Sequence, residues 1–145
     1  MLAFVDNLSP LIAERRILQP TRGLCLALGT LSPSICERDP MKSASQLVVF
    51  MHLLNAFSID PSRASIYDPA FTLLDKHFLG SLGLHIPSSA KDISATLRLE
   101  EPTVVFLPYL PYPAIEQLFA LNWDRATLSN LIIVGPKYEG WLDDE

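Results

Sequence analysis

Apolar runs alternate with segments of helical spacing along most of this chain. Five runs are predicted to be strands: residues 23–29, 63–67, 84–87, 103–108 and 128–134. Three intervening segments carry apolar residues at the spacing of helices: residues 44–57, 70–82 and 114–121. The first run is apolar without interruption, which is typical of a strand covered on both faces. This alternation indicates parallel strands joined by right-handed crossovers.

We therefore predict an α/β fold with a small, Rossmann-like, doubly wound and mainly parallel sheet. Its five strands are expected in the order 3-2-1-4-5, with helices on both faces. Three regions follow: a helical lead-in over residues 1–22, the Rossmann-type domain over residues 23–138 and an acidic tail over residues 139–145. The lead-in is expected to hold a short amphipathic helix.

The two longest predicted helices carry signals at their ends. We expect Ser43 or Ser45 to cap the first and Gly83 to end the second in the left-handed conformation. The first helix is apolar almost all round, so we expect it to be heavily buried. His52 lies within it, and we expect this side chain to be packed and hydrogen-bonded.

The predicted strand order places a ligand site between strands one and four, because ligands bind where the order of an open α/β sheet reverses. Six residues are expected at this point: Gly29, Ser45, Gln46, Asp68, Pro108 and Tyr109. Gly29 lets the backbone approach a ligand, and the helix start near Ser45 and Gln46 offers N–H groups that suit an anion. Asp68 either accepts hydrogen bonds from a ribose diol or starts a turn and caps the next helix.

The signatures of established nucleotide and metal sites are missing from the sequence. Only Gly29 stands where a G-x-G-x-x-G loop needs three glycines, and Asp68 follows it at a longer spacing than that motif has. The histidines His52, His77 and His85 are scattered, so we predict no metal site. The sequence assigns no catalytic residue and names no cofactor, and it leaves enzymatic activity open.

Three further side chains have a structural and a functional interpretation. We expect Trp123 to be a core anchor rather than a stacking platform, and Cys25 to be a buried apolar residue of the first strand. Tyr109 lies in a proline-rich run, where it either shapes the wall of the ligand site or stiffens the loop.

Charge and cysteine content limit which classes of partner and which cellular compartment are expected. A formal net charge of −5 lacks the basic footprint of a general nucleic-acid binder. No apolar run approaches the roughly 18 residues of a membrane span, so neither nucleic acid nor membrane is expected as a partner. The two cysteines form no C-x-x-C pair, which favours a reducing compartment inside the cell. The expected location is the cytoplasm, with the nucleus as a second candidate.

Six motifs follow one another along the chain: Leu-Ala-Leu-Gly at 26–29, Ser-Gln-Leu at 45–47, Tyr-Asp-Pro-Ala-Phe at 67–71, Leu-x-x-Leu-Gly at 79–83, Glu-Pro-Thr at 101–103 and Asn-Trp at 122–123. In this order and spacing they resemble the SRR-like family, which is named for "sensitivity to red light reduced". The resemblance implies a Rossmann-like fold and a regulatory role. Relatives are linked to circadian regulation and light signalling in plants, to regulation of haem biosynthesis in animals and to microtubule-related phenotypes in yeast.

The chain departs from the family pattern at strand ends, where a ligand would bind. Ala27 replaces the first family glycine, and Tyr109 stands where a histidine often follows the proline. Pro-Lys-Tyr at 136–138 stands where Asn-Ser-Phe is usual, and the loop over residues 30–44 looks longer. An acid/base histidine is therefore absent at position 109, and a tyrosine is a poor base near neutrality.

These observations lead to a hypothesis with two alternatives. The chain is expected to be a regulatory domain that binds a nucleotide-like or other small anionic ligand at the switch point. It is alternatively a protein-interaction module that uses residues 30–44 and 108–113, or a group transferase with an adenosine-containing cofactor. The chain begins close to its first predicted strand and ends soon after its fifth, so a minimal version of the family is one interpretation, and the sequence leaves open whether the 145 residues are a complete protein.

Overall fold

A parallel sheet of four strands lies at the centre of the described chain. The computed structural model describes Pro10, Glu14 and residues 18–32 and 39–135. The strands are β1 (Arg22–Leu26), β2 (Ala64–Tyr67), β3 (Thr103–Phe106) and β4 (Leu131–Val134). They are all parallel and lie in the order β2-β1-β3-β4. The α/β class and the parallel sheet predicted from the sequence are thus confirmed.

The predicted third strand, residues 84–87, is wrong. In its place the structure has one parallel bridge, in which His85 pairs with Ser65. Gly83, with φ of +85°, turns the chain just before this segment, and Pro87 has no N–H to continue a ladder. The segment between them is too short for more than one bridge. The five-strand order is therefore not confirmed, although the four observed strands keep the relative order predicted for them.

Helices connect the strands within the described residues. They are α1 (Pro40–Ala56), α2 (Leu73–Ser81), α3 (Ala90–Thr96), α4 (Tyr112–Leu121) and α5 (Arg125–Leu128), with a 3-10 turn at Pro61–Arg63. The short helix α3 lies in a segment whose polar, weakly patterned sequence predicted no helix. The helix α5 shortens the predicted fifth strand, because Asp124 accepts a hydrogen bond from the Thr127 N–H and starts a helical turn there.

The first helix begins earlier than predicted, and neither serine caps it. Asp39 is the cap, with its carboxylate accepting from the Met41 N–H at 2.9 Å, and Pro40 occupies the first turn. Ser43 is buried inside the helix. The Ser45 hydroxyl donates back to the Met41 carbonyl at 2.8 Å, which is the bond of a serine within a helix. Gly83 does follow the end of α2 with positive φ, as predicted.

The hydrophobic core has two parts, one on each face of the sheet. On one face α1 and α2 pack against alternate strand residues: Cys25, Ile66, Val104 and Phe106. On the other face the strand residues Leu24, Leu26 and Val105 pack with Leu118 of α4 and with Leu99, which follows α3. Helices thus cover both faces, as expected for a doubly wound sheet.

Gly23 allows α1 to approach β1 closely. A Cβ atom added there would lie 2.4 Å from Cδ2 of Leu54, which is itself buried in α1. A carbon atom can occupy that position only if the Leu54 side chain or α1 moves. The start of β1 and the second half of α1 therefore pack closely because Gly23 has no side chain.

Three burial predictions are settled by the structure. Cys25 is fully buried, as expected. Trp123 is not a core anchor: it is 73% exposed, and its ring lies edge-on to the Phe119 ring, at 6.3 Å between centroids. His52 is exposed rather than packed, and Val48 is also exposed, so α1 is not buried all round. The errors at His52 and over α1 arise because the outer face of α1 carries side chains, such as Val48, that nothing in the described chain covers.

Several expectations fall outside the described residues. They concern the lead-in helix, residues 33–38 of the loop over residues 30–44, the motif at 136–138 and the acidic tail over 139–145. Where the chain is described, no helix has both the length and the apolar character needed to cross a bilayer.

Candidate functional site

The carboxyl ends of β1 and β2 are tied together by Asp68. Its Oδ2 accepts a hydrogen bond from the Gly29 N–H at 2.8 Å, and its Oδ1 accepts one from the Ala70 N–H at 2.8 Å. The Ala27 N–H donates to the Tyr67 carbonyl at 3.1 Å, one step closer to the sheet. Asp68 is only 5% exposed. It therefore starts the turn after β2, and it also fixes the chain that leaves β1.

The backbone after β1 is left-handed at two positions. Ala27 has φ of +60° and Gly29 has φ of +86°. Glycine adopts this conformation freely, whereas an alanine pays roughly 1–2 kcal/mol for it. The strain is located at the residue that replaces the first glycine of the family pattern. Strained residues of this kind persist where the surrounding contacts hold them, and they cluster at ligand sites.

A cleft of about 380 Å³ opens at these strand ends, on the α4 side of the sheet. Its floor is the end of β1 and β2, and its wall is one face of α4. The lining residues are Leu26, Ala27, Tyr67, Asp68, Pro69, Leu97, Leu110, Pro111, Ala114, Gln117, Leu118 and Leu121. Nine of these are apolar or proline, and Asp68 is the one charged side chain in the described lining. A mainly apolar cleft with a few polar groups is the usual form of a small-molecule site.

The amino end of α4 contributes little hydrogen-bonding capacity to this cleft. Its cap is Pro111, which makes no side-chain capping bond, and Pro113 stands in the first turn. Neither proline has an N–H. The N–H groups of Ala114 and Ile115 both donate to the Pro111 carbonyl, at 2.9 and 3.1 Å. A helix start with this composition is a poor binder of anions, which need several convergent N–H donors.

The structure brings together only some of the residues predicted for the site. Asp68 lines the cleft, and Gly29 donates to it. Ser45 and Gln46 lie in α1, which packs on the opposite face of the sheet, so they do not reach this cleft. Pro108 is buried and Tyr109 is 39% exposed. Both come directly before Leu110, which lines the cleft, but neither is a lining residue itself. Contact of any of these six residues with a ligand stays a prediction.

Asp75 is the residue that sequence reasoning missed. Its carboxylate accepts from the Thr30 hydroxyl at 2.7 Å, the Ser32 hydroxyl at 2.9 Å, the Thr72 N–H at 2.9 Å and the Leu31 N–H at 3.2 Å. The residue is 2% exposed. Burial raises the pKa of the Asp75 carboxyl, but the hydrogen bonds together lower it by more, so the pKa lies below its ordinary value. Asp75 thereby holds the chain after Gly29 against α2.

A sequence signal for Asp75 does exist. Thr72 and Asp75 form a capping box at the start of α2, in which each side chain bonds the backbone N–H of the other residue. The spacing of a threonine and an acidic residue three positions later is the pattern of that motif. It predicts the helix start, whereas the added bonds to Thr30 and Ser32 depend on the tertiary fold.

Asn122 fixes the far wall of the cleft. Its Oδ1 accepts from the Leu99 N–H at 2.9 Å, and its Nδ2 donates to the carbonyls of Leu97 and Leu118 at 2.9 and 2.8 Å. Leu97 and Leu118 both line the cleft. The asparagine of the Asn-Trp motif at 122–123 is therefore explained by its structural role, because it joins the end of α4 to the segment after α3.

Groups suited to catalysis or metal binding are not assembled in the described residues. No cluster of three or more histidine, cysteine or acidic side chains lies close enough there to hold a metal ion. Burial, together with the nearby Asp68 carboxylate, raises the pKa of the Cys25 thiol well above its usual value, so this thiol is protonated near neutrality.

Comparison with known proteins gives one family. The sequence model of the SRR1 domain matches residues 7–145. The chain is 26% identical over 117 residues to a mouse protein named SRR1-like protein, covering 81% of this chain and 44% of that protein. It is 29% identical over 77 residues to a Drosophila melanogaster SRR1-like protein, covering 53% of this chain and 27% of that protein. The chain thus spans less than half the length of these relatives, and no solved structure matches it significantly.

Proposed function

The chain belongs to the SRR1 domain family, and we propose that it is a regulatory domain that binds a small organic molecule at the carboxyl ends of β1 and β2. The observation that carries this proposal is the cleft of about 380 Å³. Its volume lies within the range of roughly 300–1,000 Å³ that is typical of ligand sites. Its lining comes from the ends of β1 and β2 and from residues that follow β3, such as Leu110 and Pro111, while the order of the sheet reverses between β1 and β3.

The cleft is held in shape by bonds on two sides. Asp68 fixes the strand ends through Gly29 and Ala70, and Asn122 fixes α4 to the segment that carries Leu97. A site that is held open before the ligand arrives loses less entropy when the ligand binds. The bonds that hold this cleft in shape therefore support the proposal that it binds a ligand.

The ligand expected from the sequence was nucleotide-like or otherwise anionic. A nucleoside fits the lining better than a phosphate does. The apolar walls suit a flat ring, and the Asp68 carboxylate at the end of β2 suits the hydroxyl groups of a ribose. The group-transferase alternative is a hypothesis that turnover assays with adenosine-containing cofactors would test.

Two variants of α4, each with a phenylalanine in place of an alanine, test the proposal. Ala114 lines the cleft, whereas Ala120 lies on an exposed part of α4 outside it. Thermal unfolding is measured with adenosine, nucleotides, dinucleotides and haem, for the wild type, Ala114→Phe and Ala120→Phe. A compound at about 100 times its dissociation constant adds about 2.7 kcal/mol of stability.

We expect at least one compound to stabilise the wild type and the Ala120→Phe variant but not the Ala114→Phe variant, because the phenylalanine ring fills the cleft. Stabilisation that survives equally in both variants would place the binding elsewhere. No stabilisation by any compound in the panel would count against ligand binding as the function.

The alternative of a protein-interaction module is favoured by one different feature. An apolar groove between α1 and α2 is lined by Leu47, Val48, Met51, His52, Asn55, Phe78 and Leu82. Val48 and Phe78 are about half exposed. Groups of exposed apolar side chains often mark interaction surfaces. Nothing in the described chain indicates an occupant of this groove, so ligand binding in the cleft is the better-supported function.

A further inference from the structure

We infer that Gln117 selects the molecule bound in this cleft, and that this molecule carries a flat heteroaromatic ring with an amino group beside a ring nitrogen, as in adenine. This inference rests on the proposed function, because it names the ligand class of the same cleft and the side chain that recognises it. It depends on the face of α4 that lines the cleft and on the lining groups that are left unbonded.

The position of Gln117 follows from the spacing of α4. Ala114, Gln117, Leu118 and Leu121 all line the cleft, because positions three and four apart lie on one face of a helix. Of these four residues, only Gln117 carries a polar side chain. Gln117 is exposed whereas Leu118 is buried, so the amide lies at the rim of the cleft and the leucine forms its inner wall.

The Gln117 amide is available to a ligand. In the part of the chain that the structure describes, neither this amide nor the Tyr67 hydroxyl is bonded to another group. The remaining polar residue of the lining, Asp68, already accepts from the Gly29 and Ala70 N–H groups. A hydroxyl rotates to donate or to accept, so Tyr67 suits many ligands, whereas a planar amide places one donor beside one acceptor. Gln117 is therefore the group that can discriminate between ligands.

The rest of the lining favours a flat ring. Nine of the lining residues are apolar or proline, and they present surface that gains free energy when a ring displaces water from it. Polar atoms on the edge of such a ring lose their water and need partners in the protein.

The Gln117 amide matches one kind of ring edge. Its carbonyl oxygen accepts and its NH₂ group donates, so it pairs with an edge on which a donor stands beside an acceptor. Glutamine recognises adenine in this way, through the amino group and N7 of the base. An aminopurine therefore satisfies the apolar walls and the amide at the rim together.

Two nucleosides that differ in one group test the inference. Adenosine carries the 6-amino group, and purine riboside has a hydrogen atom in its place. The dissociation constants of both are measured by protein NMR titration for the wild type, Gln117→Leu and Lys76→Leu. Leucine is a good helix former, so Gln117→Leu at an exposed position should keep α4 folded. Lys76 is an exposed residue of α2, which packs on the opposite face of the sheet, so Lys76→Leu is the control.

We expect adenosine to bind the wild type and Lys76→Leu at least about tenfold more tightly than purine riboside, which leaves the Gln117 carbonyl without a donor. In Gln117→Leu the two nucleosides should bind within about twofold of each other, because the amide that distinguishes them is absent. The ratio of the two dissociation constants is the decisive quantity, since a change in the shape of the cleft would weaken both nucleosides alike.

Two results would overturn the role of Gln117 and leave the proposed function standing, provided that Ala114→Phe abolishes the binding. They are equal binding of the two nucleosides to the wild type, and a preference for adenosine that persists in Gln117→Leu. If adenosine does not bind the wild type, the aminopurine class is overturned. The proposed function then stands only if another compound of the unfolding panel stabilises Ala120→Phe and not Ala114→Phe.

Discussion

The Gly29 N–H donates a 2.8 Å hydrogen bond to Oδ2 of Asp68, across 39 positions of the sequence. This bond joins the ends of two neighbouring parallel strands at the edge where α/β sheets bind ligands. Asp68 also lines the cleft. One side chain therefore holds the local fold and lines the candidate site, and substitutions at Asp68 must be interpreted with both roles in mind.

Replacement of Asp68 should destabilise the protein. Asp68→Ala removes the acceptor for the Gly29 and Ala70 N–H groups. Leaving a buried donor without an acceptor costs roughly 1–3 kcal/mol, so we expect a loss of about 2–4 kcal/mol in urea unfolding at pH 7. Asp60→Ala, at an exposed aspartate that caps only a 3-10 turn, is the matched control and should cost less. Equal losses in the two variants would contradict the structural role of Asp68.

The left-handed backbone at Ala27 predicts an unusual response to glycine. Ala27→Gly relieves the strain of a φ of +60°, while glycine also increases the entropy of the unfolded chain. We expect a net gain of up to about 1 kcal/mol in the free energy of unfolding. Ala120→Gly on the exposed face of α4 should instead lose roughly 0.5–1 kcal/mol. Urea unfolding of both variants should therefore give changes of opposite sign in the free energy of unfolding. A loss of stability in both variants would show that Ala27 is not strained.

The lowered pKa of Asp75 predicts a loss of stability in acid. A carboxyl with a lower pKa in the folded than in the unfolded state stabilises the fold above the unfolded value, about 3.9. That contribution is lost as the pH falls through the folded value. Asp75→Asn removes it, so at pH 7 we expect this variant to be less stable than the wild type by roughly 1–3 kcal/mol.

Urea unfolding of the wild type and Asp75→Asn between pH 7 and pH 3 measures this effect. The gap between the two proteins should be constant above about pH 5 and should narrow below about pH 4. A gap that stays the same down to pH 3 would mean that the Asp75 carboxyl does not stabilise the fold through its charge.

The fit between Gly23 and Leu54 predicts coupling between β1 and α1. Gly23→Ala places a methyl group against the Leu54 side chain, at a Cβ–Cδ2 distance of 2.4 Å before any movement. Overpacking of this kind costs about 1–3 kcal/mol. Leu54→Ala removes the clash, so the double variant should lose less stability than the sum of the two single variants. Additive losses would show that the two side chains do not meet.

The parallel sheet could be predicted from the sequence because each strand is an apolar run that stands between helical segments. The third predicted strand failed because Gly83 and Pro87 bracket it too closely, which the apolar pattern of Leu84 and Ile86 does not reveal. The start of α1 differs from the prediction because the serines lie next to the apolar run and predict a later cap, whereas Asp39, which Pro40 follows directly, is the cap in the structure. That error placed Ser45 and Gln46 at a helix start, where they do not lie.

The candidate site could be predicted only in part, for a physical reason. Asp68 follows a strand directly, so its place at the sheet edge can be derived from the chain order alone. The α4 wall of the cleft consists of apolar residues at helical spacing, such as Leu118 and Leu121, which are indistinguishable in sequence from core residues. The bonds of Asp75 to Thr30 and Ser32 join positions more than 40 residues apart, and only the tertiary fold brings them together.

The most direct measurement of the central claim is a protein NMR titration of the wild type with adenosine. We expect chemical-shift changes that concentrate on the backbone amides of the cleft, at Leu26, Ala27, Asp68, Ala114 and Leu118. Changes that concentrate instead on the groove between α1 and α2, or no changes at all, would contradict the claim that this cleft is the binding site of the domain.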